Sequence, residues 1–354
     1  MWVTTATEDG RELSAVCVDR ETGRVLVDKR VFDVKSPRPL GNAVNTYATP
    51  SPVIEPGRVY VNFGSYGTAC LDTATFDVLW TRRDLPCDHW RGPGSSPALF
   101  EDLLLLHMDG INVQYAAALD KTTGDTRWVT FRSADYGDLE EDGRPIRRGD
   151  FRKAFNSPYV IEYDGQSQMV SPGAKAVYSY DVRTGNELWK VCHDKHSSAP
   201  RTLYSNGIAY VSTGLSGPEI LAVRVNGRGD VTDSHVAWRC ARGVPSRSSP
   251  VLVDGRIYMV SEDGIASSID ARDGREIWRH RIGGRHSASA VYADGRIHFF
   301  DESGTATIIR PGESCEILAQ NQLDDGFMAS PAIAGKALFL RTKTHLYRVE
   351  KRPE

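Results

Sequence analysis

The chain has 354 residues, of which 40% are hydrophobic and 25% are charged, and its formal net charge is −3. This length and composition predict a globular protein with a large hydrophobic core. The slight negative charge argues against a nucleic-acid partner, and no apolar run approaches the ~20 residues of a membrane-spanning helix. Met1-Trp2-Val3 leads into a predicted strand rather than into a signal-peptide pattern.

Two short patterns recur along the chain. The first is Asp-x-x-x-Gly-x-x-x-Trp, which is complete at 120–128, 181–189 and 270–278 and keeps its spacing at 72–80, with Phe76 in place of glycine. The second is a Ser-Pro pair, whose prolines stand at 52, 97, 158, 250 and 331. Between them lie apolar runs of four or five residues separated by polar turns, which is typical of antiparallel strands joined by hairpins. Repeats of this length with four short strands predict the blades of a β-propeller.

In chain order the two patterns predict a single propeller domain, residues 1–354, in eight blades. The fold class is therefore all-β, an eight-bladed β-propeller of four-stranded antiparallel blades. The first blade lacks its Ser-Pro strand and the last lacks its fourth strand, so both are incomplete. We expect the chain to be a fragment of a longer protein, with unpaired edge strands at the ring seam that allow self-association. The blades are predicted near 1–44, 45–91, 92–153, 154–195, 196–245, 246–285, 286–326 and 327–354.

The Asp-Gly-Trp pattern has a predicted structural role. The aspartate and glycine form the turn between the third and fourth strands of a blade, and glycine takes the left-handed position. The tryptophan then lies against the neighbouring blade. Two residues before the aspartate, Cys17 and Cys70 stand where other copies have alanine or serine, so we expect small buried side chains rather than a disulfide framework. The predicted docking tryptophans are Trp80, Trp128, Trp189, Trp238 and Trp278.

Three copies of the pattern point to a known family. YSYDVRTGNELW (178–189), AALDKTTGDTRW (117–128) and SSIDARDGREIW (267–278) resemble the tryptophan-docking motif of the pyrroloquinoline-quinone-type β-propeller repeat. That superfamily includes quinoprotein alcohol dehydrogenases and a non-enzymatic lipoprotein of the outer-membrane barrel-assembly machinery. The resemblance implies a periplasmic or otherwise exported parent protein whose signal peptide is missing from this chain, although a cytoplasmic location stays open.

Candidate binding residues fall where the chain enters the innermost strands and in one turn. Two histidines, a serine and an arginine near a predicted channel mouth favour a small polar ligand or an anion. A tryptophan beside an arginine, in the connection to the third blade, suits stacking on a sugar or a quinone. No metal site is predicted, because Cys192, His193 and His196 lack a second ligand pair. The candidates are His89, Trp90, Arg91, His196, Ser246, Arg247, Glu262, Asp263 and His286.

One long insertion, residues 131–155, separates the third and fourth blades. Its acidic residues come first, from Asp135 to Asp142, and its basic residues follow, from Arg144 to Lys153. Long loops in compact domains are usually functional or disordered. Two interpretations remain open for the insertion: a solvated flap whose two halves pair with each other, or a lid or partner-docking loop.

Three functions compete. A non-catalytic binding or scaffold propeller, with a protein or carbohydrate partner on its loop face, is favoured. The alternative is a quinoprotein dehydrogenase that oxidises an alcohol or sugar with pyrroloquinoline quinone and calcium. Dehydrogenases of that type commonly carry adjacent cysteines over the quinone, and this sequence has no Cys-Cys pair and no matching calcium ligands, so no cofactor is predicted. A polysaccharide lyase or hydrolase, the third possibility, lacks a recognisable acid–base set.

Overall fold

The computed structural model describes residues 1–42 and 44–351, and it consists mainly of short antiparallel strands. Each blade is a sheet whose strands pair in sequence order. The predicted all-β, eight-bladed propeller fold is confirmed: among the described residues most blades have four strands, and the first and last have three. None of the described helices has the length and apolar character needed to cross a bilayer.

The blades fall into two compact units. Unit 1 comprises Met1–Ser197 and Asn226–Thr232, and unit 2 comprises Ser198–Val225 and the described residues from Asp233 onward. In unit 1, blade 1 consists of Trp2–Ala6, Glu12–Val18 and Val25–Asp33; blade 2 of Val53–Glu55, Arg58–Asn62, Thr68–Asp72 and Val78–Arg82; blade 3 of Ala98–Phe100, Leu103–Asp109, Gln114–Asp120 and Thr126–Phe131; and blade 4 of Tyr159–Tyr163, Gln166–Pro172, Ala176–Asp181 and Glu187–Cys192. Unit 1 also contains the 3-10 segment Gly64–Tyr66 and a second segment, Ile146–Arg152, that is interrupted by positive φ values at residues 147–149.

Unit 2 holds the remaining four blades. Blade 5 consists of Leu203–Ser205, Ile208–Ser212, Ile220–Arg224 and Val236–Cys240; blade 6 of Val251–Val253, Arg256–Val260, Ile265–Asp270 and Glu276–Arg281; blade 7 of Val291–Ala293, Arg296–Phe300, Thr305–Arg310 and Glu316–Gln322; and blade 8 of Ala332–Ala334, Ala337–Arg341 and Leu346–Glu350. The two residues Gly229–Asp230 lie between the third and fourth strands of blade 5 in sequence but do not join its sheet. They pair in parallel with Trp189 and Lys190, and so add a fifth strand to blade 4.

The repeated Asp-Gly turn has the geometry expected from the sequence. In blade 3 the Asp120 carboxylate accepts hydrogen bonds from the amides of Thr122 and Thr123, and the Gly124 amide donates to the Asp120 carbonyl. Gly124 lies in the left-handed region, with φ of +80°. In blade 2 the glycine position is occupied by Phe76, which nevertheless adopts a φ of +64°. The turn geometry is therefore kept even where the sequence lacks the residue that favours it.

Four of the five predicted docking tryptophans donate the indole N–H to the next blade of the same unit, whereas Trp189 donates to Gln168 in its own blade. The indole N–H of Trp80 donates to the Lys121 carbonyl, and that of Trp128 donates to the Val182 carbonyl, at 3.0 Å in both cases. In unit 2, Trp238 donates to Ala271. A Cβ placed on Gly124 would lie 2.8 Å from the Trp80 ring. These contacts support the proposal that the tryptophans dock neighbouring blades.

The residue paired with each tryptophan is small and buried, as predicted. Ser179 pairs with Trp189 and Cys70 with Trp80, in each case next to a shift in strand register. Both small residues are completely buried. The indole ring fills the space beside its cross-strand partner at this register shift. Only a small side chain therefore fits at the paired position. Cys70 therefore serves as a small core residue, and all six cysteines are free thiols.

The serine of the Ser-Pro pattern forms a contact that the sequence did not predict. The Ser51 amide donates to the hydroxyl oxygen of Ser96 in the next blade, and the Ser96 amide donates to that of Ser157. In unit 2 the Ser249 amide donates in the same way to Ser289. Each such serine hydroxyl therefore links the segments that lead into the first strands of two consecutive blades.

Candidate functional site

The second residue of the insertion, Arg132, has a buried side chain. The Arg132 guanidinium forms two parallel hydrogen bonds with the Asp109 carboxylate, from Nε at 3.0 Å and from Nη2 at 2.8 Å. The two side chains are only 1% and 2% exposed. A two-point arginine–carboxylate contact of this kind is strong and directional. It attaches the start of the insertion to the second strand of blade 3.

The same arginine organises a buried polar network. Its Nη1 donates to Ser171 Oγ at 2.5 Å and to the Tyr180 hydroxyl at 3.2 Å. Ser171 Oγ lies 2.7 Å from His107 Nε2, and His107 Nδ1 lies 3.0 Å from the Asn156 carbonyl. Because a carbonyl only accepts, Nδ1 carries the proton and Nε2 accepts from the serine. Burial and the nearby arginine hold the pKa of His107 well below its usual range.

This serine–histidine pair does not form an accessible nucleophile. Ser171 is completely buried and His107 is 1% exposed, so a substrate would have no surface from which to reach them. The positive charge of Arg132 also disfavours the imidazolium that a catalytic base must become. We therefore assign the network a structural role, which is to fix both ends of the insertion to blades 3 and 4.

A second ion pair joins the two halves of the insertion. Arg152 donates through Nε and Nη2 to the Asp138 carboxylate, with a shortest distance of 2.6 Å. The two side chains are 16% and 7% exposed. The Arg152 guanidinium also lies 5.2 Å from the centre of the Tyr136 ring, a cation–π contact. The acidic and basic halves therefore do pair, and they do so through partly buried side chains.

A third ion pair attaches the insertion to the connection between blades 2 and 3. Arg91 donates to both carboxylate oxygens of Asp150, at 3.2 and 2.8 Å, and Asp150 also pairs with Lys153. The Arg91 guanidinium lies 4.5 Å from the Trp90 ring centre, and the Lys153 ammonium lies 5.7 Å from it. The half-buried Trp90 ring therefore contacts two cations of the protein itself. Its predicted stacking on a sugar or quinone stays a prediction.

Lys153 is a buried cation in this cluster, with 3% of its side chain exposed. Burial, and after it the positive charge of Arg91, lower the pKa of Lys153 from the ordinary value of 10.5 to about 7. Two cations share one carboxylate, and the proton of the lysine is the one that can be lost.

We expect the stability of the protein to depend on pH through Lys153. Below about pH 7 the lysine is protonated in both states, and the folded protein bears the full cost of burying the charge. Between about pH 7 and 10.5 the unfolded chain binds the proton more strongly, so the free energy of unfolding rises with pH. Chemical denaturation of the wild type and Lys153→Met at about pH 6 and pH 9 measures this. The free energy of unfolding of the wild type should rise relative to that of the variant at the higher pH. An equal difference in this free energy between the two proteins at both pH values would contradict the lowered pKa of Lys153.

Gly149 allows the insertion to approach the blade 3 loop closely. A Cβ at this position would lie 2.2 Å from the Ile111 carbonyl oxygen, and φ is +80°. The contact is with backbone, so no side chain can rotate away to relieve it. Gly143, in the same insertion, has a φ of +78°, but a Cβ placed there would have nothing within 4 Å.

We expect Gly149→Ala to detach this part of the insertion. The substitution adds a backbone clash to the strain of the left-handed conformation, whereas Gly143→Ala adds the strain alone. Limited trypsin digestion, followed by mass spectrometry of cleavage after the arginines at 147, 148 and 152, should be faster in Gly149→Ala than in Gly143→Ala. Equal cleavage rates in the two variants would contradict the predicted close contact.

His196 and His89 are two predicted site residues of unit 1. The His196 ring lies 4.8 Å from the ring of Phe151 in the insertion, and its Nδ1 lies 2.9 Å from Ser197 Oγ. Burial, followed by the charge of Lys153, lowers the pKa of His196 to about 4. Burial lowers the pKa of His89 to about 4 as well. Both histidines are therefore neutral at physiological pH, and a neutral His196 does not favour the anion predicted for the channel mouth.

A small polar cavity of about 280 Å³ lies beside His89. His89 Nδ1 is 3.8 Å from Cys87 Sγ, and burial raises the pKa of that thiol well above its usual range. The thiol is therefore protonated and not an activated nucleophile. Arg38 pairs with Asp88 at the same cavity.

The predicted residues of unit 2 form a separate group. Glu262 accepts hydrogen bonds from the Ser246 amide and hydroxyl, at 2.8 and 2.5 Å, and its carbonyl accepts from the His286 amide. Both ring nitrogens of His286 lie within 3.1 Å of backbone carbonyls, those of Phe300 and Gly283. These side chains connect the loops of blades 6 and 7.

The other two predicted residues of unit 2 are more accessible. Arg247 is half-buried and Asp263 is exposed. The Asp263 carbonyl accepts a hydrogen bond from the Arg281 side chain. A ligand role for the unit 2 residues stays a prediction.

Sequence reasoning missed Asp109, Arg132 and Asp150 as partners. A signal was present: His107 and Asp109 interrupt the apolar run LLLLHMD, and buried polar residues in such a run require partners. Their partners lie in the insertion or beyond it, so only the folded chain identifies them. In the part of the chain that the structure describes, no group of three or more His, Cys, Asp or Glu side chains is arranged to hold a metal ion.

The comparisons with known structures concern the fold. BamB from Moraxella catarrhalis superimposes with a TM-score of 0.63 and 12% identity, covering 96% of this chain and 92% of that one. Quinohemoprotein alcohol dehydrogenase from Comamonas testosteroni superimposes with a TM-score of 0.67 and 13% identity, covering 96% of this chain and 68% of that one. The computationally designed Ika8 protein superimposes with a TM-score of 0.64 and 12% identity, covering 99% of this chain and 92% of that one. At these identities the likeness shows the fold alone.

Sequence comparison is more specific. No curated protein sequence shows a significant match to the chain. The model of one protein family, described as outer membrane protein assembly factor BamB, matches residues 3–170 and 173–323. This match covers most of the chain and confirms the resemblance seen in the repeated motifs. The chain therefore belongs to this family of PQQ-like β-propellers.

Proposed function

We propose that the chain is a non-catalytic binding propeller and that the insertion, residues 131–155, presents its surface for a protein partner. The observation that carries the proposal is the attachment of the insertion to other parts of unit 1 by two ion pairs, Asp109–Arg132 and Arg91–Asp150, while a third pair, Asp138–Arg152, joins its two halves. A solvated flap needs no such anchors, whereas a recognition loop gains affinity when it is held in place before binding. Membership of a family described as an assembly factor also supports protein partners.

The quinoprotein dehydrogenase is the second candidate function, and no side-chain arrangement among the described residues specifically favours it. The six cysteines are separate free thiols, and no cluster of carboxylate, histidine or cysteine side chains is arranged to hold an ion such as calcium. We therefore derive no catalytic step through a quinone. Incubation with pyrroloquinoline quinone and calcium, followed by dye reduction with alcohols and aldoses, tests this directly. Substrate-dependent reduction would replace the binding proposal with a dehydrogenase.

Location and the other partners predicted from the sequence are also proposals. A periplasmic or otherwise exported parent protein agrees with the description of the matched family, which refers to the outer membrane. The carbohydrate partner and self-association through edge strands gain no support from the contacts described above, and both stay predictions.

The binding proposal is tested with matched glycine variants. Tagged wild-type protein is used to capture partners from envelope extracts, and each partner is then purified and its dissociation constant measured. We expect Gly149→Ala to weaken binding and Gly143→Ala to leave it unchanged, because only the first displaces the insertion. A partner that binds both variants equally would contradict a role for the insertion.

A further inference from the structure

The attached insertion forms one wall of a groove of about 550 Å³ against the blade 3 loop. Three arginines, Arg144, Arg147 and Arg148, line it together with one carboxylate, Glu140, and the loop residue Ile111. The groove therefore has a net positive charge, although the whole chain has a formal net charge of −3. Such a local excess of positive charge attracts negatively charged groups.

Two of the three arginines have no ion-pair partner among the described residues. Arg144 pairs with Asp142, whereas Arg147 and Arg148 form no ion pair among the described residues. The Arg147 guanidinium lies 5.1 Å from the Phe151 ring centre, which holds its stem without neutralising it. Arg148 is exposed to solvent. A guanidinium in this state offers a planar set of donors that matches a carboxylate.

The backbone of these two arginines has a strained conformation. Arg147 and Arg148 adopt φ values of 48° and 59°, in the left-handed region that non-glycine residues rarely occupy. The next residue, Gly149, also has a positive φ, of +80°, and lies close to the Ile111 carbonyl. Two consecutive strained residues in an exposed loop are typical of binding segments.

Apolar side chains flank the charges. Leu139 is 60% exposed and Ile146 is 39% exposed, and each is adjacent in sequence to residues that line the groove. A Leu139–Pro145 bridge keeps the two arms of this hairpin together. Exposed apolar residues next to unpaired arginines suit a peptide that carries both carboxylates and apolar side chains.

We propose that this groove binds an acidic segment of the protein partner, with Arg147 and Arg148 pairing with its carboxylates. The inference rests on the proposed binding function and specifies the chemistry of the partner. A nucleic acid also carries negative charge, but the net negative charge of the chain disfavours it.

The test uses a fluorescein-labelled peptide that alternates glutamate with leucine, and the same peptide with glutamine in place of glutamate. Fluorescence anisotropy should show that the wild type binds the glutamate peptide about tenfold more tightly, with an affinity that falls as salt is added. A single-stranded oligonucleotide of equal charge is titrated in parallel. Equal binding of the glutamine peptide, or tighter binding of the oligonucleotide, would overturn the proposal.

Variants assign the effect to the two arginines. Arg147→Glu/Arg148→Glu should weaken glutamate-peptide binding by about tenfold, and Arg147→Gln/Arg148→Gln by less, because only the first introduces repulsion. The control Arg20→Glu/Arg24→Glu makes the same charge change at an exposed turn of blade 1 and should bind as the wild type does. Thermal unfolding checks that each variant is folded. If the charge-reversed variant binds normally, the groove is not the site.

The outcomes separate the two proposals. If captured partners require the attached insertion but the acidic peptide does not bind, the acidic-segment inference fails and the binding function stands. If partners bind Gly149→Ala and Gly143→Ala equally, the function proposed for the insertion fails, whatever the peptide does.

Discussion

Replacement of Asp109 by alanine is expected to lower the free energy of unfolding by about 3–5 kcal/mol. The substitution leaves the Arg132 charge buried, with 1% of its side chain exposed, and without the carboxylate that neutralises it. Urea denaturation followed by tryptophan fluorescence measures the change. The loss should be accompanied by faster proteolysis of the insertion, because Arg132 is its first anchor.

Two controls define this result. Asp102→Ala removes an exposed carboxylate, 53% accessible, that pairs with Arg127, and should cost less than about 1 kcal/mol. The double variant Asp109→Leu/Arg132→Met removes both charges and should recover most of the loss, because an apolar pair needs no desolvated charge. If Asp109→Ala cost no more than Asp102→Ala, the buried ion pair would not be a major source of stability.

Trp189→Ala is expected to lower the free energy of unfolding by about 3–5 kcal/mol. Trp189 is completely buried, and its indole N–H donates to Gln168 Oε1 at 3.1 Å. Truncation leaves a cavity at the register shift where Trp189 faces Ser179. The neighbouring pair Gly229–Asp230, which joins the sheet beside Trp189, should lose protection in amide hydrogen exchange at the same time.

Phe131→Ala is the matched aromatic control for this variant. Phe131 also lies on the fourth strand of its blade, but it is 63% exposed, so its truncation should change the free energy of unfolding by less than about 1 kcal/mol. Trp189→Phe keeps most of the volume and removes the indole donor. Because Ser179 still donates to Gln168, we expect this variant to cost roughly 1 kcal/mol. Equal losses for the two alanine variants would contradict a packing role for Trp189.

The candidate site was only partly predictable. The sequence identified His89, Trp90, Arg91 and His196 as candidates and the insertion as a separate charged loop. The structure joins Trp90, Arg91 and His196 to the insertion, through the Lys153–Trp90 and Arg91–Asp150 contacts and the contact of His196 with Phe151, whereas His89 lies at a separate cavity beside Cys87. Charge segregation correctly indicated pairing within the insertion, but the bonds from Asp109 and Arg91 to the insertion were not foreseen. These partners are far apart in the sequence and follow no repeat, so no periodic pattern could predict their pairing.

By itself, the sequence determined the class of fold and the repeated unit. The turn from Asp120 to Gly124 and the small residue opposite Trp189 depend on local backbone geometry and strand alternation, both of which leave a periodic pattern. Only the tertiary structure showed that the serine of the Ser-Pro pattern forms a hydrogen bond between consecutive blades. It also showed which carboxylate pairs with Arg132. Those contacts join residues of different blades or of an irregular loop. Their geometry depends on how the backbone brings distant segments together, and no local preference encodes it.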